Sequence, residues 1–287
     1  MFDLKKIKPN KTIAIVNGHD ENIIKSLSRI PKTVSFRLYG DQNLINQNLD
    51  IYNVDRSNLA IINCLQYEEL SQTINNDFLN KKFDVLMKGA ISTKDLLLII
   101  LNKENQLFDR SNLLSHIAAI KLDTYKKLLW ITDGAINISP NQEHKVKIME
   151  NAIKSLSNFG YNHINIGLIS AVEKVNPKMQ STVDADSIVK AFKRDNVIIE
   201  GPLALDNVLS KEATLIKGID SKIAGEVDLL VMPNIESGNI LYKAINYLIP
   251  NSQSAGIVLG AKMPIILTSR ADNEQTKFNS IILGLLV

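Results

Sequence analysis

The chain has 287 residues, 45% of them hydrophobic, 22% charged and 6% aromatic, with 33 basic and 30 acidic side chains and a net charge of +3. That length allows two modest domains with proper cores, and charge spread without a dense basic block argues against a dedicated nucleic-acid binder. A single cysteine excludes a disulfide framework and a cysteine-based zinc site, the longest unbroken apolar run (96–101) is far short of a membrane span, and the opening MFDLKKIKPNK lacks the apolar core of a signal peptide, so a cytoplasmic enzyme or binding protein is expected.

A first strand is predicted over 11–16, running into Asn17-Gly18-His19-Asp20, then a helix over 21–29 and a second strand over 33–38. The Asn- and Gln-rich segment 42–53 reads as loop and short helix. Residues 59–65 suit either a strand or a helix start, with Cys64 as a buried small hydrophobe within them. A helix follows over 68–80. The strand 83–87 closes on Lys88-Gly89, where glycine permits a tight turn and Ser92 or Thr93 caps the helix 94–101. Strands over 113–120 and 127–132 come next, the second leading into Asp133-Gly134-Ala135-Ile136-Asn137. The helix over 141–159 carries apolar positions at Val146, Met149, Ile153 and Leu156.

Further strands are expected over 164–170, 197–199 and 227–232. Helices are expected over 181–192, through Asp206 and Leu209, and over 240–248, the last preceded by a loop over 233–239. From Gly256 a short apolar run, a turn over 261–264 and a second run over 265–267 lead into a helical pattern at Phe278, Ile281, Ile282 and Leu285. Runs this short, β-branched and unalternated read as strands buried on both faces. Their alternation with helices points to an α/β fold with a largely parallel sheet.

Five strand-to-loop junctions place small or polar residues after an apolar run: Lys88-Gly89, Thr132-Asp133-Gly134, Glu200-Gly201-Pro202, the stretch 233–239, and Ser269-Arg270. One such junction is ordinary turn chemistry, whereas five suggest a rim lining a cleft, since open α/β sheets bind ligands beyond the carboxyl ends of their strands. The last junction gathers two hydroxyls (Thr268, Ser269), the Arg270 guanidinium and the Asp272 carboxylate where a strand gives way to a helix, whose N-terminus suits an anion. Asp272 with Gln275 three residues on equally fits a capping box, and Arg270 an ordinary surface cation. Lys88 suits a phosphate or solvent alike, and His19 at a strand end suits a ligand contact or a structural role.

The segments KGAISTKDLLLIILNKE (88–104), LLSHIA (113–118), ITDGAIN (131–137), SAVEKVNPKMQSTVDA (170–185), EGPLALDNVLS (200–210), AGEVDLLVMPNIESGNILYK (224–243) and LTSRADNEQTKFNSI (267–281) occur in order along nearly the whole chain. In them the sequence resembles the phosphate acetyl/butyryltransferase family, its butyryl-type members in particular. The resemblance implies two α/β/α domains flanking a cleft, similar to the isocitrate and isopropylmalate dehydrogenases. The first domain would span 1–136 and the second 137–256, with 257–287 returning to the first. It implies the reversible reaction of a short-chain acyl-CoA with inorganic phosphate to give acyl phosphate and free coenzyme A, with coenzyme A as substrate, no metal or nicotinamide cofactor, and a homo-oligomer. The chain has neither a G-x-G-x-x-G loop nor a P-loop.

By motif match, Arg270 is the phosphate-binding cation and Ser269 the hydroxyl near the reacting carbonyl. Asp272, Glu274 or, from a separate junction, Asp133 is the proton acceptor for the coenzyme A thiol, which reacts as thiolate. Lys88, Gly89, Thr268, Asn234, Glu236, Gly238 and Asn239 are the substrate-binding candidates. The sequence departs from the family pattern in two places. Leu98 stands where an arginine is expected, and Gln106-Leu107-Phe108 replaces a Gly-Leu-Arg phrase. Arg110 or Lys88 could compensate, and a non-catalytic relative that retains coenzyme A or acyl phosphate binding is the rival expectation.

Overall fold

The computed structural model describes residues 1–268 and 272–287 as an α/β protein. Through residue 112, strands β1 (Thr12–Val16), β2 (Ser35–Gly40), β3 (Leu59–Asn63) and β4 (Val85–Lys88) alternate with helices α1 (Glu21–Leu27), α2 (Gln42–Ile51), α3 (Tyr67–Leu79) and α4 (Thr93–Leu101). Strands β5 (Ser115–Leu122) and β6 (Tyr125–Thr132) follow. After them come α5 (Gln142–Phe159), β7 (Ile164–Ile169), α6 (Gln180–Ala191), β8 (Val197–Leu203), α7 (Leu205–Leu209), α8 (Lys211–Lys217), β9 (Leu229–Val231) and α9 (Ile235–Leu248). The chain continues with β10 (Gln253–Leu259), β11 (Ile265–Ile266) and α10 (Glu274–Leu286). Among the described residues no helix is long and apolar enough to cross a membrane.

Two compact units result: Met1–Asn112 with Ala255–Val287, and Leu113–Ser254. Residues 113–136, expected with the first domain, pack in the second unit. The reason is strand pairing, because β6 lies parallel to β9 with Trp130 opposite Leu229 and Thr132 opposite Val231.

In the first unit the sheet order is β3-β2-β1-β4-β11-β10. The pairs through β11 are parallel, and β10 runs antiparallel to β11. Parallel strands covered on both faces have no solvent side, so apolar residues run on without alternation; Ile13, Ala14, Ile15 and Val16 are all fully buried. Of residues 59–65, Leu59–Asn63 form a strand, in register against Phe36 to Gly40. Most of the segment 42–53 is a full helix, α2. The Asp41 carboxylate accepts the Asn43 and Leu44 N–H groups, and Ile45 and Leu49, one turn apart, are buried.

The second unit orders its strands β5-β6-β9-β7-β8, with a β5–β6 hairpin and parallel pairing beyond it. Its largest fully buried side chain, Trp130, meets Phe159 and Tyr161 edge-on at 5.4 and 6.3 Å between ring centroids. The indole N–H donates to the Tyr161 hydroxyl at 3.1 Å, so the ring is buried without an orphaned donor. Helix α5 is bounded by chemistry legible in the sequence: the Asn141 side chain accepts the His144 N–H, and Gly160 ends the helix at φ 109°, in the left-handed region. Glu200-Gly201-Pro202, expected as a loop beyond a strand, lies inside β8, and the Glu200 carboxylate holds the Ser221 hydroxyl and the Lys222 N–H.

Candidate active site

Helix α10 packs over the first unit's sheet at Gly284, where an added Cβ would lie 2.8 Å from Ile266 of β11 and 3.3 Å from Val85 of β4. Lys277, seven residues earlier and so on the same helical face, therefore sits toward the carboxyl ends of those strands. A cavity of about 250 Å³ opens there, lined by Asp20, Ile23, Lys88, Gly89, Ala90, Thr268 and Lys277. Lys88 is buried at the end of β4, Thr268 is buried two residues past β11, and Lys277 is 3% exposed. The Lys277 ammonium lies 3.6 Å from a carboxylate oxygen of Asp20, and that same oxygen caps α1 by accepting the Ile23 N–H at 3.1 Å.

The cradle is held by close backbone packing. Gly89 and Ala90 donate N–H groups to the carbonyls of Val16 and Asn17 at 2.9 and 2.8 Å. A Cβ on Gly89 would fall 2.3 Å from the Asn17 oxygen, so Gly89 serves the approach of the β4 turn to β1.

At the far side of Thr268 the sequence expectations divide. Ser269 and Arg270 lie outside the described residues. Asn273, not Asp272, is the N-cap of α10, its side chain accepting the Thr276 N–H at 2.8 Å. The capping reading of Asp272 is thereby removed. Glu274, the alternative proton acceptor, is engaged with Arg29 at 2.8 Å.

In the second unit, Asp133, Gly134, Asn234, Gly238 and Asn239 form one hydrogen-bonded junction. The buried Asp133 carboxylate accepts from the N–H groups of Ala135, Ile136 and Asn137 at 2.8, 3.0 and 3.3 Å, and from the Asn137 side-chain amide at 2.6 Å. Four donors fill the roughly four acceptor positions of a carboxylate, which makes Asp133 an anchor for its loop rather than a proton acceptor.

The stretch 233–239, expected as loop, contains the start of α9. The Asn234 side chain accepts the Ser237 N–H at 3.0 Å, and residues 235–239 make up the first helical turn and just beyond. Asn239 donates to the Gly134 carbonyl at 3.0 Å. Gly238 is buried with the Asp133 carbonyl oxygen 2.5 Å from where its Cβ would stand, so its missing side chain makes room for protein backbone. Glu236 is exposed in the first turn of α9.

The model of the phosphate acetyl/butaryl transferase family matches residues 78–285. The chain belongs to this family. A probable phosphate butyryltransferase of Bacillus subtilis (strain 168) is 37% identical over 284 residues, covering 97% of this chain and 94% of that protein. A phosphate acetyltransferase of Thermotoga maritima is 34% identical over 279 residues, covering 96% and 94%. Among solved structures, a branched-chain phosphotransacylase from Enterococcus faecalis V583 superposes with a TM-score of 0.83 at 30% identity, covering 96% of this chain and 98% of that one.

As a member of the phosphate acetyl/butyryl transferase family, the chain departs from the expected pattern at Leu98, which is half-exposed on α4 and is not among the residues lining the Lys88 cavity. Arg110 donates to the Leu101 carbonyl at 3.2 Å and so closes the end of α4, and it is not among the residues lining the Lys88 cavity. Lys277, which lines the same cavity, is outside the motif assignments. In the sequence it is a lysine on the stripe of α10 that also carries Ser280, Ile281 and Gly284.

Proposed function

We propose that the chain exchanges a short-chain acyl group, butyryl-type, between coenzyme A and inorganic phosphate. The observation that carries this reading is the near full-length similarity to enzymes named phosphate butyryltransferase and phosphate acetyltransferase. In the forward direction a phosphate oxygen attacks the thioester carbonyl, a C–O bond forms, the C–S bond breaks and coenzyme A leaves as thiolate, to be protonated. In reverse the thiol gives up its proton and attacks the acyl phosphate carbonyl. Both substrates bound together need no covalent acyl-enzyme, and proximity supplies much of the rate.

Within this proposal Arg270 grips the phosphoryl oxygens, and Ser269 steadies the developing oxyanion. Lys88, Gly89 and Thr268 frame the phosphate at the strand ends. Asp272, which follows Arg270 in the motif and leaves the capping of α10 to Asn273, is the proton acceptor. Asn234, Glu236 and Asn239 shape the second unit's contribution to substrate binding, with Gly238 and Asp133 packing and anchoring the loops that carry them. The finer assignments belong to the same proposal: a fold like that of the isocitrate and isopropylmalate dehydrogenases, acyl-CoA and phosphate as partners without a further cofactor, a cytoplasmic setting and a homo-oligomer.

The test is thiol release from butyryl-CoA, followed with a thiol-reactive chromophore with and without phosphate. Phosphate-dependent release is the expected result. Coenzyme A binding without turnover would overturn the transferase reading.

A further inference from the structure

The Lys88 cavity holds a lysine that no motif assigns. Lys277 is almost wholly buried, yet among the described residues its ion pair is a 3.6 Å contact to a carboxylate that also caps α1. Taking an ammonium out of water is costly unless opposite charge and hydrogen bonds replace the solvent. Two ammonium groups, Lys88 and Lys277, line this cavity beside the Asp20 carboxylate. Two cationic heads in one small space suit an anionic occupant, and the Thr268 residue at its edge brings a hydroxyl that serves as donor or acceptor. At about 250 Å³ the space lies below the range usual for drug-sized ligands, so it suits a small oxyanion rather than a whole coenzyme.

We propose that Lys277 is a substrate-binding residue that, with Lys88, holds the phosphoryl oxyanion, with Asp20 as its counter-ion when the cavity is empty. The lysine stem runs along the buried face of α10 and delivers its head to the carboxyl ends of β4 and β11, as long basic side chains do when their hydrocarbon is buried. Each ammonium contributes a charge-assisted hydrogen bond, and the anion competes with Asp20 for Lys277. The proposal rests on the phosphate acyltransferase reading for the identity of the anion.

The experiment measures inorganic phosphate binding to the full chain by calorimetry, alongside KM for phosphate and for butyryl-CoA and the thermal midpoint. It uses the wild type, Lys277→Met, Lys277→Arg and Asp20→Asn. Losing one charge-assisted contact is expected to weaken phosphate binding, and raise its KM, about 10- to 100-fold in Lys277→Met, with the butyryl-CoA KM within about threefold. Lys277→Arg keeps the charge and recovers part of the loss. Asp20→Asn preserves the cap, removes the competing charge and binds phosphate as tightly as the wild type or more so.

If Lys277 is only a tie between α1 and α10, Lys277→Met and Asp20→Asn lose thermal stability together while phosphate affinity stays put, and the proposal falls. It falls equally if the butyryl-CoA KM moves in place of the phosphate KM, or if the wild type binds no phosphate. Should Lys277→Met fail to fold, a weakened phosphate affinity in Asp20→Asn overturns the proposal, and a retained or tightened one together with a weakened Lys277→Arg supports it. Phosphate binding lost with Lys277→Met in a protein that releases no thiol would uphold this inference while refuting the transferase. Turnover in the wild type with unchanged affinity in Lys277→Met would do the reverse.

Discussion

Arg270 and Gly238 make opposite demands on a substitution. Arg270, assigned by motif to the phosphate, offers a planar pair of donors that a lysine cannot reproduce. Arg270→Lys is expected to be impaired and Arg270→Ala worse, at about 2–4 kcal/mol of transition-state stabilisation, or roughly 30- to 1,000-fold in kcat/KM for phosphate. An arginine on open surface would lose almost nothing in either variant, with thermal unfolding as the control. Gly238 reads in sequence as room for a ligand, so that Gly238→Val would block turnover without unfolding. The Asp133 carbonyl 2.5 Å from its missing Cβ changes that expectation. Added methyl groups must push α9 off the 133–134 backbone, costing about 1–3 kcal/mol. Activity and thermal midpoint should therefore fall together, and a variant of normal stability with lost turnover would contradict this. The glycine was visible in the sequence. Whether its empty side faced a ligand or a neighbouring carbonyl was not, because that depends on a contact between positions over 100 residues apart.

At the level of helices and strands, α3 is tied to β2 through Asp77, which accepts from Arg37, from the Tyr39 hydroxyl at 2.7 Å and from Lys82 at 2.9 Å. Burial pushes the Asp77 carboxyl up, but hydrogen bonds from Lys82, Tyr39 and Arg37 outweigh it and hold the group below its ordinary value. A carboxyl whose value is lowered by folding stabilises the protein above the unfolded value near 4 and loses that contribution as pH falls through the folded one. Asp77→Asn should then cost roughly 3 kcal/mol at neutral pH by leaving Arg37 short of its partner. The gap to wild type should narrow below about pH 4, as urea unfolding at a series of pH values would record; a gap that does not narrow would mean the network contributes through packing alone. Strands were readable wherever apolar residues ran on unalternated, as in β1, β4 and β9. Helix starts were less so, since Asp272 and Asn273 both have capping side chains and only the backbone decides which is used. The 233–239 segment misled for a related reason: Pro233, Asn234, Ser237 and Gly238 are turn residues by composition, and here they begin a helix.

For the molecule as a whole, the second unit is one continuous segment with its own sheet and core, whereas the first is completed by residues 255–287. Helix α10 buries Ile281, Ile282, Leu283 and Leu285, each contributing about 1.5–3 kcal/mol, together comparable with the entire stability of a typical domain. A fragment of residues 113–254 is expected to unfold cooperatively in urea by circular dichroism, and residues 1–112 alone to lack a cooperative transition. The opposite pattern would show that β11 and α10 are ornaments on a unit already stable without them. Synthesis on the ribosome proceeds in one direction, and this division has a consequence there. The strand end bearing Lys88 emerges early and must wait while all of residues 113–254 are made before Thr268 and Lys277 exist to meet it. Translation interrupted within that interval leaves β4 without β11 beside it. The Lys88 cavity therefore has no partly built precursor, and a stalled chain presents an unpaired strand edge to the quality-control machinery.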